Sequence, residues 1–348
     1  MFSFAEVSIE NIIVHHIGNK VNMEGIKLSR SPLRIDDDTS SILQNYFLNH
    51  FNPELFYHFF HEENLNSNLI FNYCDNLFSS PKKFHEISVQ IAQHLYDTSD
   101  HPKIKAGELY VVYFHNCIVD EELVEAVGIF KTENKDTFLK VIENEDGFNI
   151  LWENGISIKK IDKGCLVFNT EKDNGFKVSI IDNINKSKEA SFWRDDFLKL
   201  VARKDDYYQT QNYLDLCKGF VNEVFNDKND VEKADQIDLL NKSINYFSEN
   251  ETFQEEAFAQ NVMMGEQSVI DAFKEYKQHF ENEKEIALND TFGVAPGAVK
   301  SAKRKFKSIL KLDSNFHIYI HGDRSRIVKG YDEAKGLNFY TLYFEGEE

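Results

Sequence analysis

The sequence lacks the features that would assign it to a membrane or secreted class of protein. No apolar run approaches the ~18 residues that a membrane-spanning helix requires, which excludes an integral membrane protein. The first residues carry no basic segment with a small-residue cleavage site, so we expect no signal peptide. The expected location is therefore the cytoplasm, without a membrane partner.

Cysteine is scarce, and no two cysteines lie close together in the chain. The four are Cys74, Cys117, Cys165 and Cys217, and no Cys-x-x-Cys pair is present. Paired cysteines at short spacing are typical of zinc sites and of small disulfide frameworks. We therefore expect buried free thiols in a reducing compartment.

Motifs for nucleotide binding and hydrolysis are also missing. The sequence has no Gly-x-x-x-x-Gly-Lys-Ser/Thr, no Gly-x-Gly-x-x-Gly after a strand and no Gly-x-Ser-x-Gly. Their absence removes the common nucleotide-binding and hydrolase signatures, and we expect no cofactor. Glu125 and Lys131 weakly resemble the acidic and basic pair of metal-dependent nucleases, but six residues is too wide for the Glu-x-Lys of those enzymes.

Candidate metal ligands occur but are poorly placed. His15 and His16 are adjacent on a predicted strand and point to opposite faces, so they cannot share a metal. His317 and His321 lie on one face of a predicted strand but about 13 Å apart. Asp36–Asp38 precede a predicted helix, where acidic residues favour the helix dipole, and we expect capping here. The sequence therefore predicts no metal site.

Positive charge is in deficit, with 39 basic against 58 acidic residues and a net charge of −19. Taken alone, this excess argues against a nucleic-acid binder, because phosphates repel acidic surfaces. The acidity is concentrated in 1–150, at −12, and in 223–290, at −11, whereas 151–222 carries +1. Residues 291–330 hold nine basic and two acidic residues, so this one segment has a net positive charge.

The first 190 residues combine strand-like and helix-like patterns. Two helices are predicted at Asp38–Phe51 and Pro53–His61, and a third opens at Ser80-Pro81. From Glu108 onward no helix separates the apolar runs, which predicts an antiparallel meander with Asp-Gly and Asn-Gly turns. The predicted strands are Val7–His16, Gly25–Ile35, Leu69–Tyr73, Leu109–Phe114, Leu123–Thr132, Thr137–Ile142, Phe148–Trp152, Gly164–Asn169 and Phe176–Asp182.

Residues 191–348 read as a mostly helical region that ends in a small helix-plus-hairpin unit. Apolar stripes at helical spacing run through 213–224, 237–247 and 269–280. A helix at about 298–312 is followed by three strands, Asn315–Ile320, Ser325–Gly330 and Leu337–Phe344. The predicted fold is α+β, with an antiparallel-sheet domain at 1–190 and this second region at 191–348.

The predicted helix at 298–312 is strongly basic on one side. On a helical wheel, Lys300, Arg304, Lys307 and Lys311 fall within about 60° of one another, opposite a buried stripe that includes Val299. Lys303 flanks this group. Such a row either is a solvated face that balances the acidic block 223–290 or contacts successive phosphates of a duplex. The candidate DNA-binding residues are Lys300, Lys303, Arg304, Lys307, Lys311, Arg324, Arg326 and Lys329.

Several stretches together resemble the NdpA/YejK-type family of bacterial nucleoid-associated proteins. The resemblance extends in order over nearly the whole chain. It is carried by Ile9–His16, Gly107–Phe114 with Leu123–Lys131, Lys188–Lys204, Lys305-Phe306 and Asn315–Ile320. It implies association with the nucleoid and binding to double-stranded DNA without a catalytic centre. It supplies no DNA-contacting residues, so those named above rest on charge and periodicity alone.

We therefore expect a non-enzymatic protein of the bacterial nucleoid that binds double-stranded DNA without strong sequence preference. If six phosphates were neutralised, log K would fall with log salt at a slope of about −5. One alternative is an acidic interaction protein that docks on DNA-handling enzymes such as topoisomerases. Another is a metal-dependent nuclease in defence against foreign DNA. Homo-oligomerisation is left open by the sequence.

Overall fold

The chain divides into two compact units, Met1–Arg203 and Lys204–Glu348. The structure, a computed structural model, describes residues 1–145, 147–182, 192–263, 265–303, 306, 309–313, 315–320 and 324–346. Each cluster of buried apolar side chains lies wholly within one unit. Among the described residues, no helix is both long and apolar enough to cross a membrane.

The first unit is built on one large antiparallel sheet. The strands of the unit are β1 Phe2–Ser3, β2 Ser8–Ile17, β3 Ile26–Lys27, β4 Tyr57–Phe59, β5 Gly107–Val119, β6 Glu122–Thr132, β7 Asp136–Asn144, β8 Gly147–Gly155, β9 Lys163–Phe168, β10 Lys177–Asp182 and β11 Leu200–Ala202. Of these, β7 and β8 pair with each other outside the large sheet. In the described part of the unit, the sheet order is β11-β4-β10-β9-β6-β5-β2-β3, and β1 pairs with β5. The predicted α+β class with a mainly antiparallel sheet is confirmed.

Helices cover both faces of this sheet, which explains why its central strands are apolar at almost every position. Helices α2 Leu69–Ser79 and α3 Phe84–Thr98 pack in one core with Val111 of β5. Helix α1 Asp37–Leu48 packs in a second core with Val112. Successive side chains of a strand point to opposite faces, so Val111 and Val112 lie on different sides of the sheet. Both are fully buried because helices cover both sides.

Three of the predicted elements in this unit differ from the structure, since only Ile26–Lys27 of the strand expected at Gly25–Ile35 is strand. The helix expected at Pro53–His61 is replaced by strand β4, and the strand expected at Leu69–Tyr73 is the first turn of helix α2. Strand β4 is set by its pairing with β10 and β11, far along the chain, which no local pattern shows. Asn68 caps α2, since its side chain accepts the amide hydrogen of Phe71 at 3.0 Å.

The expected hairpin turns connect β7 to β8 and β9 to β10. Pairing of β7 and β8 ends at Asn144 and Gly147, while Asp146 lies outside the described residues. Gly175 before β10 has φ +82, and a Cβ there would lie 2.5 Å from the carbonyl oxygen of Phe59. Only glycine fits this close approach in a left-handed conformation.

The second unit combines helices with short strand pairs. Its helices are α4 Asp206–Glu223, α5 Lys233–Glu249, α6 Glu255–Val262, α7 Gln267–Lys284 and α8 Pro296–Lys303. Its antiparallel pairs are β12 Thr252–Gln254 with β13 Thr291–Gly293, β14 Ile309–Leu312 with β15 Phe316–Tyr319, and β16 Ile327–Asp332 with β17 Leu337–Leu342. The stripes predicted for 213–224, 237–247 and 269–280 contribute to its aromatic-rich core.

The two units meet at a later residue than the expected boundary at 190/191. A π-helical segment, Phe192–Leu198, and strand β11 both belong to the first unit. Trp193 is fully buried in its core, and its indole Nε1 donates to the carbonyl of Gly164 at 3.3 Å. The change from strand-like to helix-like spacing near residue 190 therefore follows the last long strand, β10, but precedes the end of the unit at Arg203.

Candidate nucleic-acid interface

Helix α8 carries two of the candidate DNA-binding lysines. Pro296 opens the helix, where a missing backbone N–H removes no intrahelical bond. Val299 and Ala302 are buried in the core of the second unit. Lys300 and Lys303 are exposed, and neither has an acidic partner among the described residues. Adjacent on a helical surface, they form a compact positive pair.

The helix expected at about 298–312 is shorter than the wheel assumed. Helix α8 is described as far as Lys303, and Lys311 lies instead on strand β14, which pairs with β15. The single helical row of four basic residues is therefore wrong as drawn. Arg304 and Lys307, the two middle members of that row, lie outside the described residues.

Strand pairing and core packing explain why the chain changes conformation here. Leu310 is 1 % exposed and packs in a small cluster with Ala234 and Ile237 of α5. Its antiparallel partner Ile318 belongs to the same cluster. The apolar residues at 309, 310 and 312 satisfy both a helical stripe and a half-buried hairpin, so periodicity alone could not decide between them.

The outer face of the β14–β15 hairpin places two side chains beside Lys311 that were not among the candidate DNA-binding residues. Lys311 lies directly opposite His317, and Tyr319 lies two residues further along β15 on the same face. Lys311 is exposed without an acidic partner among the described residues, and Tyr319 is 65 % exposed. Period-two alternation in the predicted strand Asn315–Ile320 was the signal for His317 and Tyr319.

Arg324 is occupied by acidic groups of its own unit. Its Nε donates to Asp235 at 2.6 Å and its Nη2 donates to Glu232 at 2.7 Å, both at the start of α5. Its Nη1 donates to the carbonyl of Ile327. A guanidinium neutralised on all sides anchors the start of β16 to α5, and we leave it out of the interface.

Arg326 has an acidic partner, whereas Lys329 has none among the described residues. Arg326 pairs with Glu345 at 2.8 Å, and both side chains are at least half exposed. Lys329 on β16 is exposed opposite Tyr340 and has no acidic partner within the described part of the chain. Among the candidate residues that the structure describes, those available to an outside ligand are therefore Lys300, Lys303, Lys311 and Lys329.

Helix α5 is the common support of these cations. Helix α8, strand β14 and the short 3₁₀ segment Arg324–Arg326 all contact it. The sequence predicted Lys300, Lys303 and Lys311 on one helix and Lys329 on a strand, whereas the structure places Lys311 on a hairpin as well.

The expected capping and histidine roles are confirmed where the structure describes them. Asp36 accepts the amide hydrogen of Thr39 at 2.8 Å, and this bond holds the pKa of Asp36 below its usual value. His15 is buried and His16 is exposed, on opposite faces of β2. His321 lies outside the described residues. In the part of the chain that is described, no cluster of His, Cys, Asp and Glu could hold a metal ion.

The weak nuclease-like pair does not form an open site. Lys131 is 1 % exposed, and its ammonium donates to the carbonyl of Lys105 at 2.7 Å and to Glu133 at 2.9 Å. Burial is the largest influence on its pKa, which is lowered. Glu125 instead accepts a bond from Asn169 at 3.0 Å.

All four cysteines are buried free thiols, as expected. Burial raises the pKa of Cys117 and of Cys217 to about 12 and that of Cys74 and Cys165 above its usual value. Thiolate is the reactive form, so none of these side chains is poised as a nucleophile or metal ligand.

Comparison with known proteins supplies one match. A family model described as nucleoid-associated protein YejK matches residues 13–336, nearly the whole chain. No curated protein sequence matches the chain.

Proposed function

The chain belongs to the YejK family of nucleoid-associated proteins, and from that membership we propose that it binds double-stranded DNA without strong sequence preference and without catalysis. Membership makes it a protein of the bacterial nucleoid, as the sequence resemblance implied. Binding to double-stranded DNA, the lack of strong sequence preference, the lack of catalysis and the contacting residues all belong to the proposal.

One observation carries the proposed interface. Lys300, Lys303, Lys311 and Lys329 are exposed on elements supported by α5, and none has an acidic partner among the described residues. A lysine that remains unpaired on an otherwise acidic surface contributes little to the stability of the fold. Each can neutralise one phosphate and release its counterion, which favours a duplex irrespective of sequence.

The acidic remainder of the protein limits the size of this interface. The two units carry net charges of −10 and −9. Phosphates are repelled from most of this surface, while a local cluster of unpaired cations still attracts them at short range. The footprint on DNA is therefore expected to involve only the lysine-bearing elements.

Charge reversal tests the interface. A variant with Lys300→Glu, Lys303→Glu, Lys311→Glu and Lys329→Glu should lose most of its affinity for a fluorescent duplex in anisotropy titrations. With four phosphates neutralised, the native protein should show log K falling with log salt at a slope of about −4. Two duplexes of unrelated sequence should bind equally.

A matched variant separates the interface from the overall charge. Lys82→Glu, Lys83→Glu, Lys159→Glu and Lys160→Glu reverse four exposed lysines of the first unit. Either quadruple change adds −8 to the net charge of −19. We expect the control to keep the native salt slope. Equal losses in both variants, or no salt-dependent binding by the native protein, would contradict the proposed residues.

A further inference from the structure

The hairpin formed by β7 and β8 is set apart from the large sheet. Its nine residue pairs run from Asp136 with Gly155 to Asn144 with Gly147. Among the described strands, β7 and β8 pair only with each other. No described residue of the hairpin belongs to either core of the first unit. It therefore gains none of its stability from those cores.

One face of this hairpin is almost entirely apolar. Residues opposite one another share a face, and alternate positions along a strand return to it. The apolar side chains on this face are between 62 % and 73 % exposed: Leu139, Val141, Phe148, Ile150 and Trp152. The same face carries one charge, Glu143 near the tip, and at its base Thr137 donates to the side chain of Asn154 at 3.0 Å.

The opposite face is mixed and serves as an internal comparison. Phe138, Ile142 and Leu151 are 45 %, 38 % and 47 % exposed there, and they alternate with Lys140, Asn149 and Glu153. A surface that faces water on both sides of a hairpin has no reason to segregate apolar residues onto one side. The segregation indicates that one side is covered.

The exposed apolar area is larger than an isolated hairpin sustains. At these exposures the five side chains present on the order of 600 Å², taking about 150–250 Å² for a large side chain. That is the upper end of the largest apolar patch on a typical monomer, roughly 300–600 Å². A lone two-stranded hairpin is also marginally stable in water.

We propose that this face is a self-association interface that joins two copies of the chain through their β7–β8 hairpins. Two such faces together remove roughly 1,200 Å² from water, the lower limit of a specific, stable interface. A two-fold interface requires a self-complementary patch, and this patch meets its own copy with apolar groups only.

Charge on the face favours a second copy over other occupants. The face carries no basic residue to pair with an acidic partner or with phosphate. When the two hairpins lie antiparallel, each Glu143 lies over the polar Thr137 and Asn154 of its partner. The two carboxylates are then separated by the length of the hairpin, about 20 Å, so they do not repel one another strongly.

The mass of the full-length protein in solution tests the proposal. Sedimentation velocity over a concentration series should show a species of twice the 40.6 kDa chain mass. Because apolar burial drives it, raising the salt concentration should leave the association unchanged or strengthen it. A native protein that remains monomeric throughout would overturn the proposal.

Paired substitutions on the two faces locate the contact. Val141→Asp with Ile150→Asp, opposite each other on the apolar face, should raise the dimer dissociation constant about tenfold or more. Ile142→Asp with Leu151→Asp, on the other face, should leave it near the native value. Equal dissociation by both variants would contradict the assigned face. Circular dichroism and the thermal midpoint should match the native protein in both.

Trp152 supplies an independent signal. It is 67 % exposed on the hairpin, whereas Trp193 is fully buried. Dimerisation should therefore reduce acrylamide quenching of native fluorescence as concentration rises, and Trp152→Phe should abolish this change. A dimer in which Trp152 remains fully quenchable would exclude the proposed face.

Discussion

His15 is an uncharged imidazole held by two serines inside the first unit. It is 1 % exposed, its Nδ1 accepts the amide hydrogen of Ser29 at 3.1 Å, and its Nε2 lies 3.2 Å from the hydroxyl of Ser88. Since that hydroxyl donates to the carbonyl of His85, Nε2 carries the hydrogen. Burial, and then repulsion from His85, lower the pKa of His15 to about 4.

This histidine should make the stability of the protein depend on pH. Unfolding restores the ordinary pKa of 6.5. Between about pH 6.5 and pH 4 the imidazole of His15 is therefore protonated in the unfolded chain but neutral in the folded chain. The contribution is complete above pH 6.5 and is lost as the pH falls toward 4, a change of about 3 kcal/mol in the free energy of unfolding. Urea unfolding between these pH values measures it.

His15→Gln should flatten that pH dependence relative to the native protein, because glutamine does not titrate. His16→Gln, at the exposed neighbouring position, should leave it intact. The same slope in the native protein and in His15→Gln would show that His15 does not titrate between the two states.

At the scale of elements, the guanidinium of Arg324 fastens β16 to helix α5. Arg324→Ala would remove its bonds to Glu232 and Asp235, and we expect a loss of about 1–2 kcal/mol in stability. Amides of β16 and β17 should exchange faster with deuterium, since their anchor is lost.

Arg326→Ala is the matched control for this anchor. Its partner Glu345 is 85 % exposed, and exposed ion pairs contribute about 0–1 kcal/mol. We expect little change in the exchange of either strand. Equal protection of β16 and β17 in both variants and in the native protein would contradict the anchoring role.

Elements whose own residues carry a clear periodicity were predicted from the sequence, whereas elements that depend on distant partners were not. Strand β6 carries its own periodicity and was predicted to within one residue of its observed limits, and the predicted strand Leu109–Phe114 lies inside the longer β5. Strands β4 and β14 are short and exist through partners distant in sequence or close packing on α5, so local patterns indicated helix instead. The lysines were found by charge, but Arg324 was wrongly placed among the free cations because its partners lie some 90 residues earlier.

At the scale of the whole molecule, the proposed interface belongs to one unit. Lys300, Lys303, Lys311 and Lys329 and the cores that support them all lie in Lys204–Glu348. We expect this fragment, expressed alone, to fold and to bind duplex DNA with the salt slope of the full chain. Anisotropy on both fragments measures it.

Met1–Arg203 should show no salt-dependent binding in the same assay, because the proposed interface lysines all lie in the other unit. Binding by this fragment alone, or by neither fragment, would contradict an interface confined to the second unit. Circular dichroism of each fragment establishes that it is folded before the comparison is made.

The strand order of the large sheet has a consequence for the protein's synthesis. Strand β4 lies between β10 and β11, so residues 57–59 have no strand partner until residues 177–202 have been made. While residues 60–176 are being made, the apolar side chains of β4 lack their strand partners. Pairings so distant in sequence close slowly and leave strand edges exposed. We therefore expect the emerging chain to expose these residues until β10 and β11 have paired with β4.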